Sequence, residues 1–271
     1  MANSTRRRAQ LQAERLAAAR KARNRRLAIT LVGVVVGLAI IIALVWWGLS
    51  RSQTPTPTTN STGSGSGQIT PPNAFSDIRN DNTLVGIGAN PAAIDPEHTV
   101  TIFGDYQCSA CYLQEEALKP VLQEAGASTQ VRLEMVNRDF LDEDPSHDSW
   151  SRPASMASAC ADTVGSFLPY HLAIYDHYGS LDETVLRETI PSDIGLSGDQ
   201  LTQFQKCYDE ELTLSFVDTM EKTAAAYMYN NGFTGTPVFL LDGEPVQLSS
   251  WFSDDGSRLD LDKVRAAWGL I

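Results

Sequence analysis

The stretch VTIFGDYQCSAC, residues 100–111, decides the reading. Residues 98–104 are β-branched and apolar, the composition of a buried strand. From Cys108 onward the apolar positions change to helical spacing, with Leu113, Ala117 and Leu118, then Val121 and Leu122. Cys108 and Cys111 therefore open a helix, which Pro120 is expected to kink or divide. A sulfur at a helix start meets backbone N–H groups without intrahelical partners and the positive end of the helix dipole. Both favour thiolate over thiol, and the thiolate is the nucleophile.

Working outward, residues 130–136 (QVRLEMV) read as a second strand, with Val131, Leu133 and Met135 on one face. Residues 150–231 look helical almost throughout, with breaks at Pro169, Gly179, Pro191 and Gly195 to Gly198. Residues 236–241 (TPVFLL) are a third strand, Asp242-Gly243 is a hairpin turn signal, and residues 244–248 are the return strand. Residues 259–270 close the chain as an amphipathic helix. A β-α-β unit and a β-β-α unit, separated by a helical block, make an α/β thioredoxin-like core. The block, about residues 148–231, is an inserted helical subdomain.

The other end of the chain is of a different kind. Nine basic residues and one acid, Glu14, precede residue 27. Residues 27–49 are an uncharged run of 23, rich in Leu, Ile and Val. As a helix this run spans roughly 34 Å, enough to cross a hydrocarbon core of about 30 Å. Trp46 and Trp47 sit near its far end, where indoles favour the interface. A cleaved signal peptide would have a shorter apolar core and an A-x-A site. The expected layout is a basic cytoplasmic tail (1–26), a single transmembrane anchor (27–49), a flexible Ser/Thr/Pro/Gly linker (50–73) and an extracytoplasmic domain (74–271). The expected location is the cell membrane, with lipid contact through residues 27–49. From residue 52 on the chain holds 11 basic and 32 acidic residues. Such a balance repels phosphates and argues against nucleic acid as a ligand.

The four cysteines are Cys108, Cys111, Cys160 and Cys207. In an oxidising compartment two disulfides are expected. Closing the four-residue loop between Cys108 and Cys111 removes on the order of 2 kcal/mol of unfolded-state entropy, against roughly 4 kcal/mol for the long loop from Cys160 to Cys207. The first pair should be easily reduced, and the second should staple the helical block. A CxxC can also be a purely structural bridge or half a zinc site. Zinc needs two further ligands, and His98, His147, His171 and His177 are scattered. His171 and His177 read as surface or packing residues. Gly235-Thr236-Pro237 stands at the entry of the third strand. The bond before Pro237 is a candidate cis peptide, and a simple first-position or edge-strand proline fits equally well.

Taken together, VTIFGDYQCSAC, VRLEMVNRDF, a helical insert and FTGTPVFLLDGEPV resemble the DsbA-like thiol–disulfide oxidoreductases, in particular tethered members from Gram-positive bacteria. The resemblance covers roughly residues 84–270. It implies that Cys108 is the exposed nucleophile and Cys111 the buried resolving partner. It implies that Pro237 is a cis-proline beside them, that the backbone of Thr236 pairs with an extended substrate strand, and that Cys160 and Cys207 form the second, structural disulfide. It implies reduced or unfolded exported proteins as substrates and a quinone-linked membrane protein as reoxidant; no metal and no cofactor are expected. Two positions depart from the family. Its dipeptide between the cysteines usually begins with Pro, and here it is Ser109-Ala110. Many members carry a buried acid six residues before the first cysteine, and here that position is Ile102. Asp105 matches a common Asp, and reads more simply as a strand-end or helix-entry residue.

Three functions follow. A protein disulfide oxidase works through Cys108 and Cys111. A reductase or isomerase uses the same site with the electron flow reversed. A non-catalytic tethered chaperone or binding module uses the fold as scaffold.

Overall fold

The computed structural model describes residues 67–271. The expected tail, anchor and most of the linker lie outside the described residues. Among the described residues no helix is long and apolar enough to cross a membrane.

The centre is a six-stranded sheet in the order β1-β2-β4-β3-β5-β6. Its strands are β1 (Ala74–Arg79), β2 (Asn82–Gly88), β3 (His98–Asp105), β4 (Val131–Arg138), β5 (Val238–Leu241) and β6 (Glu244–Pro245). Strands β3 and β4 run parallel, from His98 opposite Val131 to Asp105 opposite Arg138. They are joined by helix α1 (Ser109–Ala127), and the other neighbouring strands pair antiparallel. β3 lies near the middle of the sheet, and Val100 to Asp105 are all buried. Burial on both faces explains why this strand reads as an unbroken apolar run.

Four helices follow β4: α2 (Ser151–Thr163), α3 (Phe167–Asp176), the short α4 (Ile190–Asp193) and α5 (Gly198–Asp209). They gather around Tyr170, Ile174 and Phe204, a core of their own that also takes in Cys111. α2 is buried on nearly every side, and its Ala and Ser residues let neighbours approach closely. Next comes α6 (Leu214–Asn230), which packs on β2 and β4, and the chain closes with α7 (Leu261–Trp268) against β3. The sheet core, with Phe103, Leu133 and Trp268, is thus separate from the helical core. The start of α1 stands at the seam between them.

Several sequence expectations change. The hairpin β1–β2 was not foreseen. Its turn residues Asn80 and Asp81 take positive φ without a glycine, and β1 exposes the apolar Ile78 while Asp77 and Arg79 are half-buried. Helix α1 is not divided at Pro120, and the carbonyl this proline leaves unpaired, that of Glu116, belongs to an exposed residue. Pro169 does not break a helix either. It is the third residue of α3, where a backbone N–H would have no intrahelical partner. Pro191 continues a wide helical turn, Val185–Thr189, and the Tyr170 hydroxyl takes the carbonyl of Leu186, five residues before it. The helical insertion ends before α6, which covers the sheet. The return strand is two residues long, since the chain turns at Leu248–Trp251. The linker's last residues are docked: Ile69 N–H donates to Leu212 O (2.7 Å), and the Gln68 amide bridges Glu211 O (3.0 Å) and Ser215 N–H (2.9 Å).

Candidate active site

Cys108 occupies the cap position of α1, with extended backbone (φ −74°, ψ 120°) and no side-chain cap. Its own N–H donates to Asp105 O (3.0 Å) and its carbonyl accepts from Tyr112 N–H (3.0 Å), so strand end and helix start are tied together. The N–H groups of Ala110 and Cys111 are left for the sulfur. Cys108 is half-buried and Cys111 is buried, and both are free thiols.

The two sulfurs are electrostatically unlike. The Cys111 thiol donates to Cys108, the largest cause drawing the Cys108 pKa down to about 5. Burial opposes the shift, while the Thr236 side chain and the two helix-start N–H groups add to it. Burial pushes the Cys111 thiol far up, and the charge on Cys108 pushes it the same way. Gly104 lies beneath the pair, where an added Cβ would stand 3.3 Å from Tyr175 Oη and 3.9 Å from Cys111 Sγ.

Facing the sulfurs is the entry of β5. Cys108 Sγ donates to Thr236 O at 3.4 Å. The Thr236–Pro237 peptide is cis. The Thr236 hydroxyl favours the anion of either sulfur, yet it is buried and has no partner of full hydrogen-bond geometry. The structure thus brings Cys108, Cys111, Thr236 and Pro237 into one place. Cys160 on α2 and Cys207 on α5 are bonded to each other in the helical layer, with Cα atoms 5.7 Å apart.

Ile102 is buried between Met135 and Phe239, with no charge to offer. Asp105 is a buried tie between segments. Its carboxylate accepts from Ser151 Oγ (2.6 Å), Gln107 N–H (2.9 Å) and Leu141 N–H (3.2 Å). Burial nonetheless pushes its pKa up to about 6.

Other neighbours escaped the sequence reading. Tyr178 stacks on Tyr112 at 4.4 Å and 7°, and its hydroxyl donates to Gln107 O at 3.3 Å. Burial, and then the Cys108 charge, raise its pKa. A buried polar chain runs under α1: Asn137 Nδ2 donates to Tyr106 Oη (3.1 Å), which meets His171 Nδ1 (2.8 Å), whose Nε2 meets Glu115 Oε1 (3.4 Å). Glu115 follows Cys111 by four residues and so shares its helix face, a signal the sequence did contain. Nothing in the sequence marked Tyr178. His171 is buried, His177 pairs with Asp193 at 2.9 Å, and His98 pairs with Asp242 at 2.8 Å.

The sequence model of the thioredoxin family matches residues 81–255, more than half of the chain. The chain belongs to the thioredoxin family. No curated protein matches it. Among solved structures, this thioredoxin-family chain is similar to MdbA, a thiol-disulfide oxidoreductase from Actinomyces oris, at 15% identity and TM-score 0.50, covering 66% of this chain and 82% of that one. It is also similar to the reduced form of DsbG from Mycobacterium tuberculosis (19% identity, TM-score 0.46, covering 66% and 83%). A third similar structure is oxidised BdbD from Bacillus subtilis (17% identity, TM-score 0.45, covering 65% and 88%). At such identities the likeness is one of fold.

Proposed function

We propose that the chain is a DsbA-like thiol–disulfide oxidoreductase that oxidises the cysteines of exported proteins. The observation that carries this reading is the split between two neighbouring sulfurs, one acidified to about 5 at a helix start and one buried with its pKa raised. In the oxidised enzyme a substrate thiolate attacks Cys108 Sγ. The Cys108–Cys111 bond breaks, and Cys111 leaves and takes up a proton, as its raised pKa favours. A second substrate thiolate attacks the substrate sulfur of the mixed disulfide, and Cys108 departs as a stable thiolate. Two electrons pass to the enzyme pair, and the substrate gains one disulfide. Because the thiolate exists only in the reduced state, stabilising it makes the disulfide the stronger oxidant. Exchange between sulfurs calls for no cofactor. Reoxidation falls to a quinone-linked membrane protein, with residues 27–49 holding the domain outside the membrane and residues 1–26 in the cytoplasm.

A redox titration of the full-length chain tests the proposal. A potential near about −120 mV is expected, whereas one near about −270 mV reverses the electron flow and makes the protein a reductase. Full oxidation of a reduced test protein by Cys108→Ala would remove the enzymatic reading altogether.

A further inference from the structure

Beside Cys108 a cavity of about 160 Å³ opens between the loop after β4 and the loop after α3. It is too small for a drug-sized molecule and suits a single side chain. Gln107, the residue bonded to Cys108, forms part of its wall, with Tyr106, Trp150 and Tyr178, and His147 and Asp148 line it from the loop after β4. The wall is held in place. Gln107 Nε2 donates to Asp142 Oδ1 (2.8 Å) and to Ser151 Oγ (3.0 Å). Tyr178 is fixed by its stack on Tyr112 and by its bond to the Gln107 carbonyl.

The one permanently charged side chain in the lining is Asp148. No Lys or Arg lines it. Asp148 is exposed and has no ion-pair partner among the described residues. His147, in the same lining, has a carboxylate of its own in Asp144 at 3.7 Å, and Arg152, the nearest permanent cation in sequence, binds Asp139 and Asp218. Aromatic rings present a negative face to a cation, and a carboxylate adds to that attraction. We propose that this cavity binds a Lys or Arg side chain of the substrate polypeptide, close in sequence to the reacting cysteine. The inference rests on the exchange reaction proposed above and adds a substrate class to it: cysteines with a basic neighbour are oxidised first. An acidic neighbour would meet Asp148 and be disfavoured, and an aliphatic one would gain contact with the rings and nothing from the carboxylate.

The test uses the oxidised full-length chain and three reduced peptides that differ at one position two residues from their cysteine, carrying Arg, norleucine or Glu. The exchange rate constant is measured for each. The Arg peptide should react roughly fivefold faster than the norleucine peptide, with Glu slowest. In Asp148→Asn the Arg-to-Glu ratio should fall most of the way to one, whatever happens to the absolute rates. In Asp95→Asn, which removes the same charge from an exposed loop before β3, the ratio should stay. Equal ratios in all three proteins would assign the preference to the overall charge of the domain and overturn the cavity. Exchange with no preference in the unsubstituted chain would overturn it as well, leaving the oxidoreductase reading intact. No exchange with any peptide would overturn both.

Discussion

The Cys108 sulfur lies 3.4 Å from the carbonyl oxygen of Thr236, 128 residues further along the chain. The contact joins the start of α1 to the entry of β5. As a thiol, Cys108 donates its proton to that oxygen. As a thiolate it has no donor to offer, and the carbonyl is released to accept from another backbone. Ionisation of the sulfur and release of this carbonyl are therefore one event.

The thiolate should be visible directly. In the reduced protein, absorbance near 240 nm should titrate with a midpoint at about 5, and Cys108→Ser should abolish the step. The shift also sets the sign of a stability effect. A depressed folded pKa contributes stability above the unfolded value, near 8.5, that is lost as pH falls through about 5. The oxidised protein has no such group. The stability of the reduced form relative to the oxidised form should thus climb with pH from about 5 to about 8.5, as read by urea unfolding of both forms. A flat difference would refute the shift.

Thr236→Val tests the hydroxyl by itself. It removes an oxygen that favours both sulfur anions but has no hydrogen-bond partner of its own. The Cys108 midpoint should move upward. Stability should change by less than about 1 kcal/mol, because no satisfied hydrogen bond is broken. A large loss of stability with an unchanged midpoint would show that the hydroxyl has a structural partner instead.

The bond between Cys160 and Cys207 spans 47 positions of sequence. Replacing both by Ala should destabilise the protein by roughly 4 kcal/mol. The Cys108 titration should stay in place, because the two pairs sit on different elements. Urea midpoints and the 240 nm titration of the double variant provide both readouts.

Asp105 and Asp139 are both raised to about 6, in each case chiefly by burial. For a raised carboxylate the sign is reversed. The stabilising contribution is complete below about 4, the unfolded value, and lost as pH rises through about 6. Asp105→Asn cannot accept all three of the bonds now made to its carboxylate, so its overall stability should fall. Its stability curve between pH 4 and 6 should nevertheless lose part of the downward slope of the unsubstituted protein. An identical slope in both proteins would contradict the raised pKa.

The unit β3-α1-β4 was legible because one of its strands is buried on both faces and a cysteine pair marks the change from strand to helix. The β5–β6 hairpin was legible because Asp242 and Gly243 both take positive φ, as that dipeptide favours. The hairpin β1–β2 was not, since Asn80-Asp81 is a weak signal and Asp77 and Arg79 obscure the alternation of β1. Prolines misled the helical reading, because their cost depends on whether the missing N–H was needed, and at Pro169 it was not. Within the site, Cys108, Cys111, Thr236 and Pro237 announced themselves by local motif. Tyr178 comes to Cys108 only through the packing of α3 against α1, which no local pattern encodes.

Ile69 and Gln68 are fastened to the turn between α5 and α6. Leu212, which receives Ile69, in turn donates its N–H to Cys207 O at 2.9 Å, and Cys207 is covalently joined to Cys160. Any pull on the chain ahead of residue 67 therefore enters the molecule beside its one covalent cross-brace between helices. The exposed edge strand β1, which would unzip one bond at a time, lies downstream of that fastening. The docked residues and the disulfide both belong to the helical layer, on other elements than the strand and helix that aim the sulfurs.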